Sequence, residues 1–183
     1  MEKGLVIIYW GYGKGKTSSA MGVALRALGQ GLRVLIVQFM KGGAKEGWKT
    51  GEQVMFEKLK AQGMPVEFVV AGKGWVNIMG DAKPFEDHEQ AAKDGLAYSK
   101  AQIASGKWDV VVLDEILSAV DSALLSVEDI KELIAVKPPE AHLLMTGHKE
   151  YPELAELADL VTNMKKIKHP YDQGLKAQKG VDF

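Results

Sequence analysis

The sequence contains no cysteine among its 183 residues. Its absence excludes disulfide bonds, thiolate metal sites and a thiol nucleophile. Arginine is nearly absent as well, because only Arg26 and Arg33 are arginines among the 23 basic residues. Arginine supplies most of the bidentate contacts that proteins make to guanine and to nucleic-acid phosphates. We therefore do not expect nucleic acid as a partner.

Long apolar segments are also missing. The first apolar run, Leu5 to Trp10, spans six residues and is followed at once by glycines, which is typical of neither a signal peptide nor a membrane span. No other run approaches the ~20 residues that a bilayer crossing requires. The sequence therefore predicts a cytoplasmic protein without a membrane partner.

The composition is that of an ordinary globular protein. Hydrophobic residues make up 46% and charged residues 26%, with a formal net charge of -1. This balance gives no compositional case for disorder. A chain of this length buries a full core, so we expect residues 1–183 to form a single domain.

Short aliphatic runs alternate with longer amphipathic segments along the chain. Nearly continuous apolar runs of four to seven residues favour strands that are buried on both faces of a parallel sheet. The predicted strands are Leu5–Tyr9, Arg33–Phe39, Val66–Val70, Val110–Leu113, His142–Met145 and a last short one at Leu160–Met164. The predicted helices are about 17–30, 50–62, 86–105, 126–136 and 151–158. The alternation predicts an α/β fold with a doubly wound, mostly parallel sheet.

A glycine-rich segment after the first strand, the phosphate loop, resembles the pattern G-x-x-x-x-G-K-[ST]. It consists of Gly11, Tyr12, Gly13, Lys14, Gly15, Lys16 and Thr17, and Ser18 continues into the predicted helix. Trp10 stands where the pattern has its first glycine, but Gly11 and Gly13 supply the required backbone freedom. We expect the loop amides, Lys14 and Lys16 to bind the phosphates of ATP or GTP, and the Thr17 hydroxyl to bind Mg²⁺.

The aliphatic run Val110–Leu113 ends in Asp114 and Glu115. A parallel strand delivers such carboxylates to the edge of the sheet where the phosphate loop also lies. This is the pattern of a Walker B strand. We expect one carboxylate to hold Mg²⁺ directly or through water, and the other to orient a nucleophile or a water of the outer shell.

The C-terminal segment, residues 168–183, contains aromatic residues and regularly spaced glycines, unlike an ordinary solvated tail. The whole chain resembles the P-loop type ATP:cob(I)alamin (corrinoid) adenosyltransferases. The resemblance rests on the phosphate loop and on the following further segments: Val37–Gly42, Thr50–Glu52, Leu113–Glu115, Met145–Gly147, Ala158–Thr162, Lys168–Pro170 and Gly174–Gly180.

The resemblance implies a RecA-like fold, a homodimer and transfer of the 5'-deoxyadenosyl group of ATP to a reduced corrinoid, with release of inorganic triphosphate. It implies Mg²⁺ as cofactor, cobalamin or a corrinoid precursor as second substrate, and a flavoprotein as candidate reductant. Lys16, Trp75 and Glu115 become the candidate catalytic residues. Lys168, Lys176 and Lys179 become further candidate phosphate ligands, and Thr17, Glu115 and Asp114 the candidate metal ligands.

One segment departs from the family pattern. Many members carry an aromatic-x-aromatic pair after Gly-x-Gly that walls the lower face of the corrinoid, whereas this chain has Trp75 and Asn77. Trp75 supplies one apolar wall. For the second wall, the sequence offers Trp48 or Phe85 as substitutes, or else the activation of cobalt differs in this protein.

Two other functions are compatible with the sequence. A RecA-like NTPase or small kinase would use Glu115 to orient a nucleophile against the γ-phosphate, a reaction that commonly needs an arginine. A non-catalytic nucleotide- or corrinoid-binding protein would bind ATP without turnover.

The histidines show no metal-ligand spacing, and we expect structural or surface roles for them.

Overall fold

The computed structural model describes residues 3–40, 49–73 and 84–182. The strands are β1 (Val6–Trp10), β2 (Val34–Gln38), β3 (Val66–Val70), β4 (Val110–Asp114), β5 (His142–Gly147) and β6 (Leu160–Asn163). The helices are α1 (Lys16–Gly29), α2 (Gly51–Ala61), α3 (Phe85–Ala104), α4 (Ile116–Asp121), α5 (Val127–Ala135) and α6 (Pro152–Ala155), followed by a 3-10 helix at Pro170–Gln173.

The six strands form one parallel sheet in the order β3-β2-β4-β5-β1-β6. Successive side chains of a strand point to opposite faces, and both faces of this sheet are covered. Helices α1 and α2 pack on one face, against residues such as Ile7, Ile36 and Val112. Helices α3 to α6 pack on the other, against residues such as Ile8 and Leu113. The predicted doubly wound α/β fold is confirmed, and it is consistent with a P-loop NTPase-like fold.

Two helices begin at side-chain caps that the sequence supplies locally. The Thr50 hydroxyl accepts a hydrogen bond from the Gln53 amide at 3.3 Å, which starts α2. Ser126 and Asp129 form a reciprocal capping box that starts α5. These caps satisfy amide groups that the first turn of a helix otherwise leaves without partners.

Helix α4 was not predicted. Its residues Ile116, Leu117, Ser118 and Ala119 are all buried, so the segment lacks the polar face that identifies a surface helix in a sequence. Helix α6 is shorter than the predicted segment 151–158, because Leu157 and Ala158 bond to carbonyls three residues back as the chain turns toward β6.

Within the described ranges, no helix combines the length and apolar character needed to span a membrane.

Candidate functional site

The phosphate loop joins β1 to α1 at the carboxyl edge of the sheet. Gly11 and Gly15 have φ angles of 126° and 105°, a region that favours glycine. The Gly13 amide donates to the Met164 carbonyl at 2.7 Å. A Cβ atom added to Gly11 or Gly13 would lie 2.6 or 2.5 Å from the Met164 oxygen. The loop is therefore seated against the chain that follows β6, at a distance that only glycine permits.

Trp10 explains how the loop tolerates the missing first glycine. It is the last residue of β1 and pairs with Gly147 of β5 and Asn163 of β6. Its partly buried ring packs against the core. The unusual backbone conformation begins one residue later, at Gly11, so position 10 needs only extended geometry, which tryptophan adopts readily.

Lys16 is the first residue of α1 and is 6% exposed. Its Nζ atom donates to the Gly13 carbonyl at 2.9 Å, so the side chain curls back over the loop. The preceding Gly15 gives α1 no side-chain cap, and the first turn contains no acidic residue. The positive end of the helix therefore faces the cavity beside the loop, as an anion-binding helix terminus requires.

Asp114, at the end of β4, is fully buried and ties three other segments together. Its Oδ1 atom accepts hydrogen bonds from the hydroxyls of Thr17 and Thr146, both at 2.9 Å. Its Oδ2 atom accepts from Gln38 Nε2 at 3.0 Å. A buried carboxylate is tolerated when several donors satisfy it. Asp114 therefore fixes the Thr17 hydroxyl in relation to the ends of β2 and β5.

Glu115 lies one residue beyond β4, with a φ angle of 62°. Its amide donates to the Thr146 hydroxyl at 2.8 Å, and its carboxylate accepts a short hydrogen bond from Ser118. His148 Nδ1 lies 3.1 Å from Ser118 Oγ and 3.9 Å from Glu115 Oε2. The His148 ring stacks on Tyr12 of the phosphate loop, with centroids 6.1 Å apart. The acidic strand end and the loop are thus joined by side chains.

These elements surround a cavity of about 310 Å³. Its lining includes the predicted residues Tyr12, Gly13, Lys14, Gly15, Lys16, Thr17, Ser18 and Glu115. It also includes residues that the sequence analysis did not assign to a site: Glu52, His148, His169, Val181 and Asp182. The structure therefore brings the loop and one carboxylate of the pair to a common space, with the C-terminal segment as a further wall.

The C-terminal segment meets the loop through an ion pair between Lys14 and Asp182. The hydrogen bond from Lys14, with a smaller contribution from the Gln178 amide, lowers the pKa of Asp182. Lys168, Lys176 and Lys179, the predicted phosphate ligands of this segment, are exposed and lie outside the cavity lining. They remain predictions.

Several of the residues that sequence reasoning missed lie at positions with a recognisable signal. Thr146 and Gln38 stand at the carboxyl ends of β5 and β2, the strands on either side of β4. Polar residues at this edge of a parallel sheet commonly serve a ligand. Ser118 and Asp182 carry no such local signal, because only the tertiary fold brings them to the site.

The predicted corrinoid-binding segment is mostly outside the described residues. Trp75, Asn77 and Trp48 all fall in the gaps between the described ranges. Phe85 is described: it opens α3 and is 42% exposed.

The described residues contain no cluster of three or more histidine, aspartate or glutamate side chains that could hold a metal ion. Hard oxygen donors beside the loop include the Thr17 hydroxyl and the carboxylates of Asp114 and Glu115. Mg²⁺ commonly takes one or two such protein ligands and fills its other positions with water and substrate phosphates. The donor set fits Mg²⁺ bound together with a nucleotide.

The family model that matches this chain and the three relatives described below carry the same name, corrinoid adenosyltransferase. The family model described as "ATP:corrinoid adenosyltransferase BtuR/CobO/CobP" matches residues 2–183. The corrinoid adenosyltransferase of Escherichia coli (strain K12) is 32% identical over 182 residues, covering 100% of this chain and 87% of that protein. The Pseudomonas aeruginosa protein of the same name is 36% identical over 184 residues, covering 100% of this chain and 85% of its own. A Sinorhizobium sp. corrinoid adenosyltransferase is 37% identical over 185 residues, covering 100% of this chain and 81% of its own.

Proposed function

The chain belongs to the ATP:corrinoid adenosyltransferase BtuR/CobO/CobP family, and from this membership we propose that it transfers the 5'-deoxyadenosyl group of ATP to the cobalt of a reduced corrinoid. The products are the adenosylated corrinoid, adenosylcobalamin when the substrate is cobalamin, and inorganic triphosphate. The observation that carries the proposal is the cavity in which the phosphate loop faces Glu115, with Asp114 bonded to Thr17 behind it.

The reaction forms a cobalt–carbon bond and breaks the C5'–oxygen bond of ATP. The Co(I) centre supplies the electron pair, and the triphosphate leaves with the electrons of the broken bond. No proton needs to be removed from the nucleophile, so the site requires no general base. Its main task is to stabilise the charge of a triphosphate leaving group, which preorganised donors and cations do effectively.

The residues of the phosphate loop suit this task. The amides at the start of α1 and the Lys16 ammonium face the space that the phosphates would occupy. Lys14 provides a second cation at the rim, where its side chain is 53% exposed. To bring C5' to the corrinoid, we propose that the nucleotide is held reversed relative to other P-loop enzymes.

Asp114 and Glu115 have different proposed roles. Asp114 already accepts three hydrogen bonds and is fully buried, so we assign it to holding Thr17 in place. Glu115 lines the cavity and is the carboxylate that would hold Mg²⁺ together with Thr17. Bound there, Mg²⁺ would neutralise part of the triphosphate charge.

The arrangement of the arginines does not favour γ-phosphate hydrolysis or transfer by this chain alone. Arg33 forms an ion pair with Asp109 at the amino ends of β2 and β4, the opposite edge of the sheet from the loop. Arg26 lies in the last turn of α1, about 15 Å along the axis from Lys16 at 1.5 Å per residue. Neither is placed to stabilise a γ-phosphoryl group, as many NTPases require.

The remaining assignments follow from the family resemblance. We propose that the protein acts as a homodimer in the cytoplasm, that a flavoprotein supplies the reducing electron, and that Trp75 walls one face of the corrinoid. Trp75 and Asn77 can be tested together, because an Asn77→Trp or Asn77→Phe exchange would restore the usual aromatic pair. Increased turnover with substrate prepared from Co(II) would support this position for the wall, and unchanged turnover would place it elsewhere.

The function is tested by an anaerobic assay with ATP, Mg²⁺ and chemically reduced cobalamin. The expected result is a light-sensitive cobalt–carbon product and intact triphosphate in equal amounts. ADP and phosphate without a cobalt–carbon bond would instead indicate an NTPase. ATP binding without turnover would indicate a binding protein.

A further inference from the structure

We infer that Ser118 and His148 are positioning residues that hold the Glu115 carboxylate toward the nucleotide cavity. The inference rests on the proposed function in one respect, namely that Glu115 serves the Mg²⁺ of a bound nucleotide. It gives roles to Ser118, which lies behind the cavity, and to His148, which lines it.

Glu115 needs such support because of where it lies. Its left-handed backbone conformation, with φ at 62°, is uncommon for a residue other than glycine and occurs between the end of β4 and the start of α4. The Thr146 hydroxyl anchors the backbone at the Glu115 amide, at 2.8 Å. That contact leaves the side-chain torsions unconstrained, so the direction of the carboxylate depends on other contacts.

Ser118 supplies the first of these contacts. It lies in the first turn of α4, is 2% exposed, and donates its hydroxyl proton to Glu115 Oε2. A hydroxyl has one proton to donate. Because that proton is directed at the carboxylate, any other polar atom in contact with Ser118 Oγ must act as the donor.

His148 Nδ1 is that atom, at 3.1 Å from Ser118 Oγ. The direction of the first hydrogen bond therefore requires Nδ1 to carry a proton, and the hydrogen bonds run from His148 to Ser118 to Glu115. Hydrogen bonds arranged in series polarise and strengthen one another. His148 Nδ1 lies 3.9 Å from Glu115 Oε2, the same carboxylate oxygen that accepts the Ser118 hydrogen bond. Both side chains therefore act on one oxygen of the carboxylate.

Tyr12 of the phosphate loop packs against the His148 ring. The two rings are nearly parallel, at 20°, with centroids 6.1 Å apart. Tyr12 stands between Gly11 and Gly13, so this contact places His148 beside the phosphate loop.

The test measures ATP binding by titration calorimetry in the presence of MgCl₂ and, separately, in EDTA, without any corrinoid. The variants are Ser118→Ala, His148→Leu and His148→Asn. Asparagine places an amide N–H close to the position of Nδ1, whereas leucine supplies no donor. Removing a partner that orients a metal ligand typically costs 10- to 100-fold in metal affinity.

We expect Ser118→Ala and His148→Leu to weaken ATP binding about tenfold in Mg²⁺ and to leave it nearly unchanged in EDTA. His148→Asn should keep most of the wild-type affinity. Equal losses in both conditions, or no loss in either, would overturn the inference. If Ser118→Ala proves unstable in thermal melts, the comparison of His148→Leu with His148→Asn decides the question.

The experiment separates this inference from the proposed function. A wild-type protein that binds ATP in a Mg²⁺-dependent manner but forms no cobalt–carbon product would contradict the proposed reaction and leave the positioning roles standing. A wild-type protein that forms the product while the three variants bind Mg²⁺-ATP as it does would contradict the positioning roles alone.

Discussion

The two edges of the parallel sheet use charged residues in different ways. At the amino ends of the strands, the Arg33 side chain holds Asp109 through two hydrogen bonds of 2.7 and 2.9 Å, and Lys3 pairs with Asp159. Lys137 donates to several backbone carbonyls, the nearest being that of Ala141 at 2.8 Å. None of these side chains lines the cavity. Their contacts join segments of the chain to one another.

At the carboxyl ends, the charged groups converge on a cavity. Lys14, Lys16 and Glu115 line it. The buried Asp114 accepts a hydrogen bond from Thr17, which also lines it. The difference suggests a division of labour that can be tested: charges at the amino edge hold segments of the fold together, and we propose that those at the carboxyl edge bind the ligand. Four predictions test this division.

The largest effect is expected for Lys16→Ala. Lys16 lines the cavity and belongs to neither hydrophobic cluster. If it binds the phosphates as proposed, ATP affinity and transferase activity should fall by about 100-fold or more, while the melting temperature changes little. Calorimetry and the cobalt–carbon assay provide the measurements. Lys3→Ala, at the opposite edge, is the matched control and should leave ATP affinity unchanged. Full activity in Lys16→Ala would contradict the role of the phosphate loop.

Thr146→Val should affect both stability and activity, because Thr146 contacts both Asp114 and Glu115. The exchange keeps the side-chain shape but removes a hydroxyl that donates to Asp114 and accepts from the Glu115 amide. Leaving buried polar groups unsatisfied costs about 1–3 kcal/mol. Chemical denaturation should show this loss, and kcat should fall with it. A variant with wild-type stability would argue against the buried network described for β4.

Asp182→Asn should have a smaller effect, in the opposite direction. Asp182 pairs with Lys14 at the rim of the cavity, where a triphosphate would compete for the same cation. Removing its charge should tighten ATP binding by a few-fold, about the range expected for an exposed ion pair, as measured by calorimetry. Asp172→Asn, which breaks an ion pair with Lys166 away from the cavity, is the matched control. Weaker binding in Asp182→Asn would mean that the carboxylate assists the ligand.

The smallest effect concerns pH and the amino edge. The Arg33 hydrogen bond lowers the pKa of Asp109, so this pair contributes stability above the unfolded-state pKa of about 3.9. That contribution is lost as the pH falls through the lower folded-state value. Denaturation of Asp109→Asn between about pH 2 and pH 6 should therefore show a flatter acid dependence than the wild type, with ATP affinity at neutral pH unaffected. Identical acid profiles of the variant and the wild type would mean that the Arg33–Asp109 pair does not stabilise the fold.

Local patterns predicted most of the fold and the central part of the site. The phosphate loop and the strand ending in Asp114 and Glu115 have signatures that depend on neighbouring residues only, and the alternation of short apolar runs fixes the fold class. Helix α4 could not be found in this way, because it is only six residues long and its first four are all buried, which leaves no amphipathic period to recognise.

The missing parts of the site depend on contacts between distant segments. Ser118 and His148 meet although 30 positions separate them, and Lys14 and Asp182 are separated by 168. No spacing rule in the sequence connects such pairs. The resemblance drew attention to the C-terminal segment through its lysines, whereas the described structure brings His169, Val181 and Asp182 to the cavity. Trp75 and Asn77 lie beyond the described residues and stay untested.

The sheet order also has a consequence for how the protein is made. Strand β1, which carries the phosphate loop, is flanked by β5 and β6, and these leave the ribosome last of the six. At roughly 5–20 residues per second, the loop emerges several seconds before the strands that support it. A nascent chain or truncated product that ends before β5 therefore contains the complete nucleotide motif without the two strands that flank β1. We expect nucleotide binding to begin only when synthesis has passed β6.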